Sequence, residues 1–295
     1  MPLHHYCCSN CGAWQEYFAT PPFCFVCSDV RNALPADGWR FASAQQMRER
    51  EERGEATTHW EWVNEDIVKF MNQPVIGIGS CGYLIVRPQG NVGFEAAAWY
   101  SQEALDFIAS LGGIATLSCS HPHGMGALWQ LQERFSPEVA IQRDGVQYTK
   151  AFRVTVAYDL TLELDDELSL HLVGGHYEGH AVLHDRKRKA LFCGDALKFE
   201  TSAEGATTHL SCHKAFHKQI PLSHDEISTY RRVIGALDFT QAFTPFEHAP
   251  RITTADAVAL FDYQLASRRT STQPIRVNSS NESSSSKPTA DAASE

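Results

Sequence analysis

The chain has 295 residues, 43% of them hydrophobic, and a formal net charge of −10. That is ample for a large buried core, but the charge has the wrong sign for gripping a phosphate backbone. No run of 18 apolar residues is present to span a bilayer, and Met1-Pro2-Leu3-His4-His5-Tyr6-Cys7 lacks the charged start and apolar stretch of a signal peptide. Nucleic acid and membrane are therefore not expected as partners, and a soluble, cytoplasmic location is expected.

Residues 1–40 are rich in cysteine and proline. Cys8-x2-Cys11 and Cys24-x2-Cys27 stand twelve residues apart. Each pair forms a knuckle that turns two thiolates inward, and two knuckles complete a four-thiolate tetrahedron. A structural zinc in a small scaffolding module is expected; a redox dithiol pair or a rubredoxin-like iron are the rival readings. Cys7 is spare, and His4 and His5 are the alternate ligands.

Residues 41–270 interleave strand-like and helix-like runs, as a layered α/β or α+β domain does. Gly77 to Gly82 matches G-x-G-x-x-G, but a strand follows where a dinucleotide site needs a helix, so a strand-entry turn is expected. Tyr83–Val86 and Ile114–Leu117 read as buried strands. Between them Ala104, Leu105, Phe107, Ile108 and Leu111 recur at helical spacing behind a Ser101 cap, stopping at Gly112-Gly113. Leu160–Leu164 alternates and turns at Asp165-Asp166 into Leu168–Val173. Val182–His184 and Ala190–Phe192 flank a charged turn and predict a hairpin. Ser223 with Glu226 is a capping box, and Thr253 with Asp256 opens a last helix through Leu265. Cys81, Cys119, Cys193 and Cys212 sit singly in or beside apolar runs as small hydrophobes. Trp60, Trp62, Trp99 and Trp129 are expected in the core, and His209, His213 and His217 on the surface. From Ser271 to Glu295 the chain turns polar and serine-rich, too poor in apolar surface to offset its ordering entropy, and is expected to be disordered.

Six residues carry the chemistry. His121 and His123 flank Pro122 after a strand-like run, a spacing that aims two imidazoles at one ion about 2 Å away. His176 follows the turn Gly174-Gly175, Asp195 ends the Ala190–Phe192 strand, His248 closes Phe243–Glu247, and Glu95 ends an earlier strand. Alone, any of these is a polar loop residue. Their order and context together resemble the metallo-β-lactamase superfamily: Phe94-Glu95 for its early acidic residue (usually Asp), His121 and His123 for half of His-x-His-x-Asp-His, Gly175 to His180 for Gly-His-x-x-Gly-His, then Gly194-Asp195 and His248. The match covers about residues 72–250.

This resemblance implies an α+β fold, an αββα sandwich with its metal groove at the strand ends. It also implies a first metal site of His121, His123 and His176 with Asp195. Met125 and Gly126 replace the Asp and His of a second site, leaving His248 as a lone ligand there, so one tightly held ion is expected. His180 holds a position that is more often structural. Ser120-His121-Pro122-His123 without Asp-His also looks like superfamily members that carry a cysteine-rich N-terminus. The implied activity is hydrolysis of an ester, thioester, lactone or similar bond in a small molecule. In it zinc brings its water's pKa towards about 7, Asp195 orients or deprotonates that water, and Glu95 holds a ligand imidazole. Two alternatives stand beside it. His121, His176 and Asp195 make the two-histidine, one-carboxylate set of non-haem iron oxygenases, for which persulfide dioxygenases of the superfamily look like precedents. A non-catalytic binding member is the other.

Overall fold

Strands with apolar residues on both faces need cover on both sides, and the architecture supplies it. The computed structural model describes residues 2–203 and 206–277. A seven-stranded sheet runs in the spatial order Val156–Tyr158, Glu138–Gln142, Thr116–Ser118, Val92–Phe94, Gly82–Ile85, Ile67–Gln73, Thr57–Trp62. A six-stranded sheet runs Thr161–Glu163, Leu168–Leu172, Ala181–Asp185, Ala190–Phe192, Gln241–Phe243, His248–Ala249.

Period-two alternation divides each strand between two cores. Tyr83 and Ile85 face the opposite sheet while Leu84 faces outward. Across the gap, Ala181 and Leu183 face inward and Val182 outward. Phe192 closes the centre, stacked on Phe243 at 4.5 Å and edge-on to Tyr83 at 5.5 Å. The helices Gln102–Ser110 and Leu128–Phe135 cover the outer face of the first sheet, and His224–Val233 and Thr254–Ala266 that of the second. The result is the expected αββα layering. Ser101, Ser223 and Thr253 cap their helices, the last two through capping boxes. Among the described residues no helix is long and apolar enough to cross a membrane.

Three expectations change here. The N-terminal module does not stop at residue 40, because Phe41–Ser43 pairs antiparallel with Tyr6–Cys8 and completes a three-stranded sheet with Trp14–Tyr17. Nor is that sheet separate from the rest. Trp14 donates through Nε1 to the Ala98 carbonyl at 2.7 Å and packs against Trp99 and Trp129, inside the core of the first sheet. Second, the polar stretch expected to be disordered from Ser271 is held in the structure over its first residues. Ile275–Arg276 pairs with the strand Thr207–Ser211, and Val277 is buried against the outer core of the second sheet, giving this stretch the apolar anchor that its composition concealed. The serine run from Ser279 onward lies outside the described residues. Third, Trp62 is 45% exposed, whereas Trp99 and Trp129 are core residues.

The Gly77 to Gly82 segment is a strand-entry turn that also braces the module. At Gly77 (φ +61) a Cβ would overlap the backbone of Cys11 and Gly12, so only glycine lets this loop press against the first cysteine knuckle.

Candidate metal centres

The four thiols of Cys8, Cys11, Cys24 and Cys27 lie within 4.8 Å of one another, all buried, and no cysteine is in a disulfide. The Sγ atoms of Cys8 and Cys27 are 3.9 Å apart and those of Cys11 and Cys24 3.7 Å. Asn10 Nδ2 donates to Cys27 Sγ at 3.2 Å and the Cys27 amide to Cys24 Sγ at 3.5 Å, which favours the thiolate forms. The arrangement fits a tetrahedral ion of the zinc or iron type. Cys7 lies on the other face of its strand, in the main core, where burial pushes its thiol well up. The scattered cysteines are likewise buried, with Cys81 and Cys212 pushed up to about 12 by desolvation.

The histidine centre is assembled at the strand ends. Parallel pairing of Val92–Phe94 with Thr116–Ser118 sets Phe94 beside Ser118 and so brings Glu95 next to Ser120. Parallel pairing of Ala190–Phe192 with Gln241–Phe243 sends the Asp195 turn and the Thr244–Glu247 turn out of the same edge. His121, His123 and His176 then present ring nitrogens within 4.8 Å of one another. Asp195 Oδ2 stands 3.4 Å from His121 Nε2 and 3.5 Å from His176 Nε2.

Hydrogen bonding selects which nitrogen faces inward. His121 Nδ1 donates to Ser120 Oγ at 2.7 Å, and Ser120 Oγ donates in turn to Glu95. His176 Nδ1 donates to the His213 carbonyl at 3.4 Å. Both Nε2 atoms are left buried without a hydrogen-bond partner, a costly state for polar atoms and the one that an ion would relieve. Desolvation, the largest cause, holds His121 and His176 well below the usual imidazole range and lowers His123 as well, so all three offer lone pairs.

Glu95 thus reaches His121 through Ser120 rather than directly. Its φ of +60 is a strained conformation for a side chain, held by the Ser120 amide at 3.2 Å as well as by Oγ. Burial raises its carboxyl from 4.5 to about 8; the Ser120 donors oppose the shift and the Asp195 charge adds to it. The folded state holds this proton more tightly than the unfolded chain. Its stabilising contribution is therefore complete below 4.5 and is lost as pH rises through about 8. In metal-free protein, the unfolding free energy should fall across that window and Glu95→Gln should flatten the slope. Urea titrations at stepped pH that give both proteins the same slope would show that Glu95 is not protonated.

His248 is not brought to the centre. Thr244 Oγ1 accepts from the Phe246 and Glu247 amides and closes a tight turn. The chain then re-enters the sheet with His248 opposite Phe243. There the imidazole stacks on Phe243 at 4.3 Å and bonds Gln241 Oε1 at 3.1 Å, and desolvation lowers it to about 4. His180 is fully buried edge-on to His121, outside the three-residue ligand set.

The second-site position is filled by packing instead. Met125 is buried in the outer core of the first sheet. Gly126 (φ +34) leaves no room for a side chain, since a Cβ would stand 2.6 Å from the Ala97 carbonyl oxygen and closer still to that of Ala96. At Gly124 a Cβ would overlap the Glu95 carboxylate.

His213, expected on the surface, is buried and supplies the carbonyl that orients His176. A backbone partner leaves no trace in side-chain spacing. The centre opens on a cavity of about 270 Å³. Its walls include His123, His176 and Asp195, apolar Ile78, Leu197, Phe216 and Phe246, and the cation Lys198.

Two central sheets between helical layers, with ion ligands gathered where the strands end, define the metallo-β-lactamase fold. Solved metallo-β-lactamases share it: VMB-1 superposes with a TM-score of 0.51 at 15% identity, covering 71% of this chain and 99% of that one. TMB-1 gives 0.52 at 11%, covering 70% and 98%, and a metallo-β-lactamase from Hirschia baltica 0.50 at 12%, covering 70% and 97%. Among curated proteins the chain is 24% identical over 263 residues to the uncharacterized protein YmaE of Bacillus subtilis strain 168, covering 87% of this chain and 93% of that protein. No protein-family model matches.

Proposed function

We propose that the chain is a metal-dependent hydrolase with a single ion at its catalytic centre, held by His121, His123 and His176. A second ion, structural zinc, is held by Cys8, Cys11, Cys24 and Cys27. One observation carries the reading: two buried, unpartnered Nε2 atoms converge with a third imidazole and the Asp195 carboxylate at the wall of a cavity. Zinc in such a set supplies Lewis acidity towards a carbonyl or phosphoryl oxygen and makes hydroxide accessible at neutral pH.

The chain's own groups do the rest. Asp195, whose Oδ2 lies 3.4 Å from His121 Nε2 and 3.5 Å from His176 Nε2, would orient an attacking water and take its proton, replacing the carboxylate that Met125 does not provide. Glu95 and Ser120 hold His121 in the tautomer that ligation needs. The apolar walls exclude bulk water, and Lys198 favours an anionic group on the substrate. A cavity of about 270 Å³ suits a small molecule, and nine cysteines with no disulfide among them suit a reducing compartment such as the cytoplasm.

Elemental analysis of the full chain should give two zinc ions. A panel of esters, thioesters, lactones and phosphodiesters should reveal turnover that a chelator removes. Three ions per chain, or no hydrolysis across the panel, would count against this assignment. The equal approach of Asp195 to His121 and His176 favours a second reading, an iron oxygenase; iron in the protein together with oxygen uptake on a thiol substrate would select it.

A further inference from the structure

The cysteine module and the histidine centre are joined by one short turn. Asp29 to Asn32 follows the second knuckle directly and is built on it: the Asp29 amide donates to the Val26 carbonyl at 3.1 Å, and Asn32 Nδ2 donates to the same oxygen at 2.9 Å. Val26 lies between Cys24 and Cys27, so the placing of this turn depends on the closed knuckle.

From there two side chains reach the loop that carries His176. Arg31, 8% exposed, donates through one terminal nitrogen to the carbonyl of His176 itself at 2.9 Å. Its guanidinium lies 3.8 Å over the Tyr177 ring, and its other terminal nitrogen reaches Glu178 at 3.2 Å. The same guanidinium is forked onto Asp29 at 2.8 and 2.7 Å, which fixes its plane. Asn32 Nδ2 also donates to the Tyr177 hydroxyl at 3.2 Å. With its donors used within the protein, Arg31 is poorly suited to gripping substrate, although it borders the cavity. Its contacts fall on the ligand residue and the two that follow.

We infer that Arg31 is a positioning residue for the histidine centre, and that through it the folded cysteine module sets how tightly that centre holds its ion. This rests on the reading of His121, His123 and His176 as a metal centre. A partner that orients a ligand commonly contributes 10- to 100-fold in ion affinity.

The test uses the full-length protein, stripped at the histidine centre by a mild chelator with the cysteine centre still loaded, then titrated with cobalt(II) and followed by its visible absorption. Arg31→Gln should bind cobalt about 10- to 100-fold more weakly than wild type, with altered visible bands. Arg31→Lys, which keeps the charge and loses the fork, should fall between. Should Arg31→Gln fail to fold, Asn32→Ala, which cuts only the Val26–Tyr177 tie, should show a several-fold weakening. Wild-type affinity and bands in Arg31→Gln, or in Asn32→Ala as its substitute, overturn this inference alone. Absence of cobalt binding at the histidines of wild type overturns the metal centre, and this inference with it.

Discussion

His123→Ala should lower kcat/KM by about 10³ or more on whichever substrate the panel identifies, and reduce the ion content from two per chain to one. The metal's contribution to stabilising developing charge is worth several kcal/mol, and each 1.36 kcal/mol is tenfold in rate. His123 is the cleanest ligand to remove. It is half-buried in the short turn Pro122–Gly124, beside the cavity. His121→Ala would also break the Ser120–Glu95 relay, and His176→Ala would empty a buried space between Tyr177, Phe216 and His213. The melting temperature of metal-loaded His123→Ala should fall only by what the lost ion contributed. Steady-state kinetics and elemental analysis on the same sample decide the matter. Undiminished turnover would remove the three histidines from the chemistry.

Restoring the second-site residues by Met125→Asp with Gly126→His should destabilise the protein by about 3 kcal/mol or more and recruit no further ion. The obstacle is the backbone. Gly126 lies at φ +34 with the carbonyls of Ala96 and Ala97 pressed against the place where a Cβ would go. A β-carbon there forces the chain to move, at a cost of about 1–3 kcal/mol for overpacking and about 1–3 kcal/mol for the conformation. Met125 is 4% exposed among Trp129, Leu128 and other core residues, where a carboxylate meets a desolvation penalty of several kcal/mol. The missing half-site is thus taken up by core packing at Met125 and by close backbone contact at Gly126. Chemical denaturation and ion stoichiometry test this. A stable double variant holding three ions would show that this packing can give way to a second ion site.

Much of the fold could be read from local pattern. Capping boxes at Ser223 and Thr253, the helix behind Ser101, and the hairpin around Asp185–Lys189 are short-range features whose energetics lie within a few residues. Cys-x2-Cys and His-x-His report ligand geometry for the same reason: one backbone turn fixes both donors. What the linear order left open was long-range. His248 occupies the expected place in sequence, yet the Thr244 turn folds it back into the ladder against Phe243 and Gln241.

By itself, then, the sequence determined the individual strands and helices, the cysteine tetrahedron and the His121–His123 pair, because periodicity and knuckle spacing act over distances the chain spans locally. The αββα layering and the joining of His176 to that pair rested on the resemblance to a known family. Only the tertiary structure decided that the module shares its core with the sandwich through Trp14, that Ile275–Arg276 pairs with a strand and Val277 is buried, and that Arg31 and the His213 carbonyl meet the loop of His176. Those contacts join residues far apart in the chain, across packing surfaces and backbone atoms that no side-chain spacing encodes.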